Sequence, residues 1–357
     1  MTEKTVYING KFLSQKMSGV QRYASEICRN LTSPVKLIGA EDNLNDTVYH
    51  LQKKIETTGS KAGIPWEQFR LPAYLRSQGN PLLLSLCNVA PVFYPNKITC
   101  LHDIAFERYP QFFSKKLVLY YHWLIPKVLK NSRHIITVSE FSKREIAAYY
   151  KIDPVHITVV PNASAFNPND SNIAVKQHSR PYFLFVGSLD PRKNLLLLLK
   201  AFRHAALTDT DLIIVGASHA SFAANPEVSQ YHDDPHIVFT GYISDEQLRS
   251  YYAGAIALVN PSFYEGFGLP VAEALSMNCP VLASSIEAFK EVGGTDIVYF
   301  NPADVSELSD LIKNFSANAS SEKTSQIKRI TWKTSAALVD NLIQQFNNRQ
   351  DESSNRT

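Results

Sequence analysis

The chain has 357 residues, more than the roughly 250 to 300 at which a single hydrophobic core stops growing, so its length predicts two domains. With 45% hydrophobic and 19% charged residues, the composition is that of an ordinary globular protein and excludes a largely disordered chain. The formal net charge is only +3, which excludes the concentrated basic surface that drives nucleic-acid binding. We therefore expect no nucleic-acid partner, whereas weak attraction to an anionic ligand or a membrane surface stays open.

Cysteine usage and hydropathy indicate the compartment. The four cysteines lie among apolar neighbours, without CxxC pairing or the density of a disulfide scaffold: Cys28, Cys87, Cys100 and Cys279. Such residues are typical of buried thiols in a reducing compartment. The start, MTEKTVYING, lacks the features of a secretory signal, and no stretch reaches the roughly 18 apolar residues of a spanning helix. We expect a cytoplasmic protein that at most lies on the inner face of the cell membrane.

In the first half of the chain, apolar runs predict a strand in VYING near the start and another in KITCL near residue 100. A helix is expected from about residue 20 to residue 31. A further short strand is predicted at residues 135–138. Ser139 and Ser142 are cap candidates for the helix that follows, SKREIAAYY, in which Ser142 and Glu145 fit a capping box.

Strand and helix patterns alternate throughout the second half. YFLFVG, LIIVG, IVFTG, ALVNPS and PVLAS are apolar runs, and the helical patterns LLLLLKAF, SDEQLRSYYAGA and PVAEALSM lie between them. This alternation predicts a parallel sheet covered on both faces, so the expected fold class is α/β, with two Rossmann-like domains facing a cleft. The predicted segments are an N-terminal domain (1–165), an Asn-, Ser- and Pro-rich linker (166–180), a C-terminal domain (181–330), a helix that would cross back to the first domain (331–346) and a disordered tail (347–357).

The strongest local signal is the run FYEGFGLPVAEAL. Pro270 suits the first turn of a helix, and Gly266 and Gly268 free the loop that enters it. Ligands of open α/β sheets bind at the carboxyl ends of the strands, where the exposed amides of a helix start attract phosphate. We expect a diphosphate to rest on Gly268 and Leu269.

Two carboxylates accompany this phosphate site. Glu273 lies in the first or second turn of the predicted helix, beyond the phosphates, where it suits vicinal hydroxyls of a sugar as an acceptor. Glu265 precedes the helix and is expected to face the cleft. The alternative for Glu273 is a helix-stabilising acidic residue without a ligand.

A second signal is VGSLDPRKNLLLLLKAF. Here a strand ends at Gly187, a turn follows, and Asn194 is the predicted N-cap of the leucine-rich helix. Arg192 and Lys193 lie immediately before that helix, where a bidentate guanidinium and an ammonium beside exposed amides make an anion site. Solvated loop charges are the alternative, but a second helix-start site downstream favours the anion site.

Together these motifs resemble glycosyltransferase family 4, whose members share the two-Rossmann GT-B fold and transfer sugars with retention of anomeric configuration. In type the sequence is similar to bacterial polysaccharide and O-antigen mannosyltransferases. The resemblance rests on VGSLDPRKN, LIIVG, FTGYIS, the glutamates at 265 and 273, and EVGGTDIVYFNP. In the N-terminal half, SGVQRYASEI and LHDIAFERYPQFF resemble the family's donor-side glycine loop and cleft histidine segment. The resemblance implies that the N-terminal domain takes the acceptor and the C-terminal domain the nucleotide sugar.

The resemblance also implies a role for each candidate residue. Glu273 would hold the nucleotide ribose, Glu265 would face hydroxyls of the donor sugar, and Arg192 and Lys193 would bind the diphosphate. Gly19 would let the N-terminal loop approach the phosphates closely. The substrate-binding candidates are Gly19, Gly187, Ser188, Arg192, Lys193, Gly266, Phe267, Gly268, Leu269 and Glu273, and the catalytic candidates are His102, Glu265, Lys193 and Arg192.

Two of these positions carry qualifications. Many relatives have an arginine after the strand-ending glycine, whereas here Ser188 follows Gly187, so neutralisation of phosphate would depend on the Arg-Lys pair. His102 ends the apparent strand KITCL, where the family places a histidine near the reacting sugar and acceptor; a structural histidine is the alternative. No His and Asp cluster and no Asp-x-Asp triplet at a strand end predicts a metal ion, so neither metal nor cofactor is expected.

The apolar and aromatic stretch YYHWLIPKVL, with Lys115 and Lys116 before it, indicates either contact with a lipid carrier at a membrane or a packed core helix.

The expected function is that of a retaining glycosyltransferase. It would move a hexose from a nucleoside-diphosphate sugar, with GDP-mannose as the first candidate, to a saccharide acceptor that is lipid-linked, in surface polysaccharide biosynthesis. Two alternatives stay open: a phosphorylase or nucleotide-sugar epimerase with the same fold, and a non-catalytic sugar-nucleotide-binding or scaffold subunit. A dehydrogenase is disfavoured because no GxGxxG opens a helix.

Overall fold

A computed structural model describes residues 5–15, 17–41, 53–167, 178–216, 226–317 and 330–354. The chain divides into two compact units, unit 1 with residues 1–162 and 330–357 and unit 2 with residues 163–329. The sequence analysis placed the end of the first domain at residue 165 and the start of the returning helix at residue 331. Most of the predicted linker, residues 168–177, lies outside the described residues.

Unit 1 contains a parallel sheet of short, largely buried strands. They are β1 (Val6–Asn9), β2 (Val35–Gly39), β3 (Lys54–Thr57), β4 (Leu83–Ser85), β5 (Lys97–Cys100), β6 (His134–Thr137) and β7 (Ile157–Val159). Their order is β3-β2-β1-β4-β5-β6-β7, so the order reverses at β1, which has β2 on one side and β4 on the other. Asn9 pairs with Ile38 at the carboxyl end of β1.

Helices pack against this sheet. They are α1 (Gly19–Asn30), α2 (Leu71–Ser77), α3 (Ala105–Arg108), α4 (Lys115–Lys130) and α5 (Glu140–Tyr150). Leu71 and Leu75 pack with Tyr7 and Ile38 in one apolar cluster. A second cluster joins Ile125, Ile135 and Ile146 among others. Helices α2, α4 and α5 are therefore held by the apolar side chains that they turn toward the strands.

The capping box predicted at Ser142 is wrong. Ser139 is the N-cap of α5, and its Oγ accepts a hydrogen bond from the backbone N of Ser142 at 2.9 Å. Ser142 is therefore inside the first turn and buried, and Glu145 instead forms an ion pair with Arg108, whose Nε lies 2.6 Å from Oε2. Both serines fit the cap pattern, and the earlier one takes the place because the helix starts directly after it.

Unit 2 has the same construction. Its strands are β8 (Tyr182–Val186), β9 (Asp211–Val215), β10 (Ile237–Gly241), β11 (Ala257–Asn260), β12 (Val281–Ser284) and β13 (Val298–Phe300). They are parallel, in the order β10-β9-β8-β11-β12-β13. The helices are α6 (Leu195–Ala205), α7 (Pro226–Ser229), α8 (Asp245–Gly254), α9 (Leu269–Ser276), α10 (Glu287–Gly293) and α11 (Val305–Ala317).

Two apolar cores lie on the opposite faces of this second sheet. One contains Leu198 of α6 and Ile312 of α11, and the other contains Tyr252 of α8 and Val271 of α9. A parallel sheet with helices on both faces confirms the predicted α/β class, with a Rossmann-like arrangement in each unit.

The last helix, α12 (Trp332–Ser354), belongs to unit 1 and packs against α1. The carboxylate of Asp340 accepts hydrogen bonds from the backbone N atoms of Thr32 and Ser33, both at 2.9 Å. The sequence analysis predicted that this helix ends at residue 346 and that residues 347–357 are disordered. In the structure the backbone continues as helix to Ser354. A helix that is already nucleated extends through polar residues at little cost, which hydrophobicity alone does not reveal. Residues 355–357 lie outside the described residues.

No helix in the described ranges combines the length and the apolar character needed to cross a bilayer.

Candidate functional site

Most of the candidate residues gather where the strand order of unit 2 reverses. Strand β8 has β9 on one side and β11 on the other, and the loops after β8 and β11 leave the same edge of the sheet. In open α/β sheets the crevice beside such a reversal is the usual ligand site. The loop after β8 carries Gly187, Ser188, Arg192 and Lys193, the loop after β11 carries Glu265, Gly266, Phe267 and Gly268, and α9 carries Leu269 and Glu273.

Backbone and side-chain hydrogen bonds tie the two loops together. The backbone N of Phe263 donates to the carbonyl of Arg192 at 2.9 Å. The amide nitrogen of Asn194 donates to the carbonyls of Pro261 at 3.1 Å and Pro302 at 2.9 Å. Asn194 is the N-cap residue of α6, as predicted, but its side chain makes no cap hydrogen bond; in this left-handed residue (φ 54°) the side-chain amide joins two loops instead. Its side chain thus fixes the site rather than the helix start.

Lys193 and Glu265 form an ion pair across the two loops. The Nζ of Lys193 lies 2.5 Å from Oε1 of Glu265, and the Ser262 hydroxyl donates to the same oxygen at 2.9 Å. Burial acts to raise the pKa of Glu265, but the charges of Lys193 and Arg192 and the hydrogen bonds from Lys193 and Ser262 outweigh it, so the pKa lies below the ordinary value. The carboxylate is therefore ionised at neutral pH.

Arg192 lies in the single helical turn Pro191–Lys193, which Asp190 begins. The Oδ1 of Asp190 accepts from the backbone N of Arg192 at 2.9 Å, and Oδ2 lies 3.2 Å from Nη2. Only 14% of the Arg192 side chain is exposed. Both predicted cations are thus held at one edge of the sheet by neighbouring carboxylates.

Helix α9 starts at this same edge because Gly268 allows it. Gly268 has φ +100°, and a Cβ at this position would lie 2.6 Å from the Phe289 ring. Pro270 occupies the first turn, as predicted. Among the described residues, no acceptor is found for the backbone N–H groups of Gly268 and Leu269, whereas those of Val271 and Ala272 donate to the Gly268 carbonyl. The helix start therefore presents two donors that suit an anion.

Glu273 lies in the second turn of α9 and is 4% exposed. Its Oε2 accepts a hydrogen bond from the Tyr252 hydroxyl of α8 at 2.9 Å. The sequence analysis missed Tyr252, as it missed Ser262, because both partners come from segments that the motif does not include. Tyr252 orients the carboxylate within the unit.

The other candidates of unit 2 differ in exposure. Gly187 donates its backbone N–H to Val215 at 3.0 Å, and a Cβ on Gly216 would lie 2.9 Å from the Gly187 carbonyl oxygen. Ser188 is exposed, whereas Gly266 and Phe267 are buried beside Glu265. The end of β9 therefore approaches the Gly187 carbonyl closely because residue 216 is glycine.

The two candidates of unit 1, Gly19 and His102, differ in exposure and in contacts. Gly19 is the first residue of α1 and is exposed, with no heavy atom within 4 Å of a Cβ built there. His102 is 6% exposed; its Nε2 bonds the carbonyl of Leu86 at 2.9 Å, and its backbone N donates to Oδ1 of Asn88 at 2.9 Å. Burial lowers the pKa of His102, against the opposing effects of the Leu86 bond and Asp103. The imidazole is therefore neutral at pH 7.

The structure adds a polar pocket to unit 1 that the sequence analysis missed. Asn9, Lys11 and Glu67 line it at the carboxyl end of β1. The signal in the sequence is slight: Asn9 ends the strand VYIN, and Lys11 follows after one glycine. Elsewhere, no group of three or more His, Cys, Asp or Glu side chains that could hold a metal ion occurs in the part of the chain that the structure describes.

Two family models match the chain in succession: Glycosyltransferase Family 4 over residues 17–165 and Glycosyl transferases group 1 over residues 166–331. The O-antigen chain mannosyltransferase RfbU of Salmonella typhimurium is 31% identical over 236 residues, which cover 66% of this chain and 65% of that relative, just under two thirds of its length. The O-antigen chain mannosyltransferase B of Escherichia coli is 27% identical over 363 residues, covering 88% of this chain and 93% of the relative.

Among solved structures, a sucrose-phosphate synthase from Thermosynechococcus elongatus superposes with a TM-score of 0.67 at 19% identity, covering 99% of this chain and 98% of that chain. At this identity the likeness concerns the fold alone. The two family models together span residues 17–331, and the motifs at Lys193 and Glu265 lie inside the second. The chain therefore belongs to the family 4 and group 1 glycosyl transferases, as a nucleotide-sugar-dependent glycosyltransferase with the Rossmann-like domains of the GT-B fold.

Proposed function

We propose that the protein is a retaining hexosyltransferase that transfers mannose from GDP-mannose to a lipid-linked saccharide acceptor during surface polysaccharide assembly. The observation that carries this proposal is the set of cations and helix-start amides at the edge of the unit 2 sheet, around Arg192, Lys193 and Gly268. A diphosphate matches such a set in charge and in hydrogen-bonding geometry. Two relatives are named O-antigen chain mannosyltransferases, which supports mannose as the sugar and a surface polysaccharide as the product.

The proposed reaction exchanges one bond at the anomeric carbon for another. The bond from C1 to the diphosphate oxygen breaks, and Arg192, Lys193 and the amides of Gly268 and Leu269 stabilise the charge that develops on the leaving group. The acceptor oxygen bonds C1 on the same face, and its proton passes to a phosphate oxygen of the leaving diphosphate. Because fixed positive charge already lies at the site, this scheme requires neither a metal ion nor another cofactor.

Each carboxylate has a separate part in this proposal. Glu265 holds the Lys193 ammonium and accepts hydrogen bonds from the donor sugar, while Glu273, oriented by Tyr252, accepts hydrogen bonds from the ribose hydroxyls. Gly187, Ser188, Gly266 and Phe267 complete the loops around the phosphates. The open surroundings of Gly19 leave room for a phosphate near the start of α1.

We further propose that the protein works in the cytoplasm while bound peripherally to an anionic membrane. The surface that supports this is the outer face of α4, which exposes Leu119 (73%) and Trp123 (54%) between Lys115 and Lys127. The Nζ of Lys127 lies 4.0 Å from the centre of the Trp123 ring. Apolar and aromatic side chains flanked by lysines, on a helix without acidic residues, match a layer of anionic lipid headgroups.

The proposed donor site is tested by titrating the full chain with GDP and UDP in a calorimeter and then assaying transfer from radiolabelled GDP-mannose to a mannose-terminated glycolipid. We expect GDP to bind, and labelled mannose to appear in the acceptor with or without EDTA. Phosphate-dependent cleavage or an isomerised donor would replace the proposal by a phosphorylase or an epimerase. Nucleotide binding without turnover would indicate a non-catalytic binding subunit, and loss of turnover in EDTA, restored by Mg²⁺, would contradict the metal-free scheme.

The proposed membrane surface is tested by sedimentation with vesicles of phosphatidylglycerol and of phosphatidylcholine. We expect binding to the anionic vesicles that falls with added salt and is lost in the variant Leu119→Ser/Trp123→Ser. Tyr242→Ser is the matched control, because Tyr242 is 78% exposed and lies in unit 2. Equal binding of all three proteins would overturn the assignment of this surface.

A further inference from the structure

A second ligand site is formed entirely within unit 1. A pocket of about 170 Å³ opens at the carboxyl edge of its sheet. Asn9 ends β1, the strand at which the order reverses, and Leu86 and Cys87 follow the neighbouring strand β4. The pocket therefore occupies in unit 1 the position at which open α/β sheets bind ligands.

The floor of the pocket is a buried ion pair. The side chain of Glu67 is 1% exposed; its Oε2 lies 2.7 Å from Nζ of Lys11, and its Oε1 accepts a hydrogen bond from Nδ2 of Asn9 at 2.8 Å. Glu67 lines the pocket, and a carboxylate oxygen that already accepts one hydrogen bond can accept another from a ligand hydroxyl. The side chain of Lys11 is 19% exposed and lies at the pocket surface.

The charge of the pocket selects a class of ligand. Among the lining residues that the structure describes, Lys11 and Glu67 are the only charged side chains, and they form an ion pair. A phosphate or a carboxylate would meet the Glu67 carboxylate with no second cation from these described residues to offset it. The pocket therefore favours a neutral ligand that both donates and accepts hydrogen bonds.

The remaining wall fits a sugar ring. The lining combines the amide and hydroxyl side chains of Gln15, Ser18, Gln21 and Asn88 with the aromatic rings of Phe12 and Tyr121. Hydroxyl groups and C–H faces of a pyranose need both kinds of surface. At about 170 Å³ the pocket is smaller than the roughly 300 to 1,000 Å³ of pockets for drug-sized ligands, so it suits one ring rather than a nucleotide.

We infer that this pocket binds one neutral pyranose ring of the acceptor saccharide and that Lys11 and Glu67 form hydrogen bonds with its hydroxyl groups. The inference rests on the proposed function, which requires an acceptor, and it names the class of acceptor residue and the side chains that select it. Tyr121 of α4 lines the pocket, so the helix proposed to meet the membrane also forms part of this wall. His102 acts behind it as a positioning residue, through its bonds to Leu86 and Asn88.

The test is ligand-observed NMR of the full chain with methyl α-D-mannopyranoside as the neutral probe and methyl β-D-glucuronide as the anionic probe. We expect the neutral glycoside to bind and the glucuronide to bind at least tenfold more weakly. Glu67→Gln should weaken the neutral glycoside by about tenfold or more, because a charge-assisted hydrogen bond is lost. Glu56→Gln is the matched control: Glu56 lies in the same unit and pairs with Lys36 at 2.9 Å, outside the pocket.

Two further variants distinguish loss of glycoside binding from loss of folding and show which unit binds the glycoside. Lys11→Gln should also weaken the neutral glycoside, and the partial exposure of Lys11 makes this variant tolerable if Glu67→Gln unfolds. Lys193→Ala should leave glycoside binding unchanged, which assigns the signal to unit 1. The inference is overturned if wild-type protein binds no neutral glycoside, binds the glucuronide equally well, or loses nothing in both pocket variants. A wild-type protein that binds GDP but no glycoside would refute this inference alone, whereas failure to bind any nucleotide would refute the proposed function.

Discussion

Both units place a lysine–glutamate pair at the same point of equivalent sheets. In unit 1, Lys11 follows β1, where the strand order reverses, and pairs with Glu67 at 2.7 Å; in unit 2, Lys193 follows β8, where the order also reverses, and pairs with Glu265 at 2.5 Å. All four side chains are less than 20% exposed. A pair of this kind is electrically neutral, so by itself it does not select the charge of a ligand.

The surroundings of the two pairs differ, and that difference selects the ligand. The start of α9 adds amide N–H donors and the positive end of its dipole beside Lys193 and Glu265, where the guanidinium of Arg192 also lies, paired with Asp190; amide side chains such as Asn9 and Asn88 line the pocket around Lys11 and Glu67. The first environment suits a diphosphate and the second a neutral ring. The same fold and the same ion pair thus serve two ligand classes through a few neighbouring groups.

The largest expected effect follows from removing a cation of unit 2. Lys193→Ala should lower kcat/KM for transfer by about 100- to 1,000-fold, because the leaving diphosphate loses a group that stabilises its developing charge. Steady-state kinetics with GDP-mannose measure the loss. Lys290→Ala is the matched control, since Lys290 pairs with Glu287 on the surface of α10, and its kinetics should stay close to wild type.

A double-mutant cycle sharpens this result. Because Lys193 and Glu265 are in contact, Lys193→Ala/Glu265→Gln should lose less than the product of the two single losses. Independent losses, or unchanged kinetics for Lys193→Ala, would contradict the role of the pair at the diphosphate.

The two glutamates of unit 2 should fail in different ways. Glu273→Gln should raise the KM for the donor about tenfold with little change in kcat, because a hydrogen bond made equally in the ground and transition states is weakened. Glu265→Gln should mainly lower kcat. Calorimetric titration with GDP measures the affinity of each variant directly.

The variant Tyr252→Phe distinguishes the proposed ribose-binding role of Glu273 from a purely structural role. It removes the 2.9 Å hydrogen bond to Glu273 but keeps the carboxylate. If Glu273 serves packing alone, both Tyr252→Phe and Glu273→Gln will lower the melting temperature and leave GDP affinity unchanged.

The sequence predicted the α/β class and the site motifs of unit 2 because both depend on local patterns. Apolar strands alternate with helices, and Gly268 and Pro270 indicate the start of α9 within a few residues. The loop carrying Arg192 and Lys193 lies one strand away from Glu265, and the parallel sheet brings them together. Strand order thus turns two local motifs into one site.

What the sequence did not predict depends on contacts between distant segments. Glu67 lies 56 residues after Lys11, and no motif joins them, so the pocket of unit 1 was missed. Asn194 is the N-cap residue of α6 as expected, but the bonds that its side-chain nitrogen donates to two carbonyls of distant loops could not be predicted from the local pattern. Ser139 and Ser142 both fit the cap pattern, and only the actual helix start distinguishes them.

His102 tests whether the histidine of unit 1 acts through the pocket wall. His102→Ala should raise the KM for the acceptor about fivefold, as expected for the loss of roughly 1 kcal/mol of hydrogen bonding to Leu86. His102→Gln keeps an N–H donor and should restore part of the affinity. A large loss of kcat with an unchanged acceptor KM would instead support the catalytic role implied by the family resemblance.

Lys97 is a buried lysine with no carboxylate partner among the described residues, and it should affect stability rather than activity. It is fully buried at the start of β5, and its Nζ donates to the carbonyls of Tyr94 and Asn131, both at 2.9 Å. Burial lowers its pKa from 10.5 to about 7. Between these values the unfolded chain binds more protons than the folded one, so the free energy of unfolding rises with pH, by at most about 1.4 kcal/mol per pH unit.

Urea unfolding at pH 7, 8 and 9 of the wild type, Lys97→Met and the control Lys290→Met isolates this contribution. The wild type should gain stability relative to Lys97→Met at each step, because methionine has no proton to lose, while Lys290→Met should follow the wild type. Below pH 7 the lysine is charged in both states, so the difference between wild type and Lys97→Met should level off. A difference in the free energy of unfolding between wild type and Lys97→Met that stays constant from pH 7 to pH 9 would mean that Lys97 keeps its charge in the folded protein. The free-energy cost of burying this ammonium without a carboxylate would then be smaller than its contrast with the paired Lys11 and Lys193 implies.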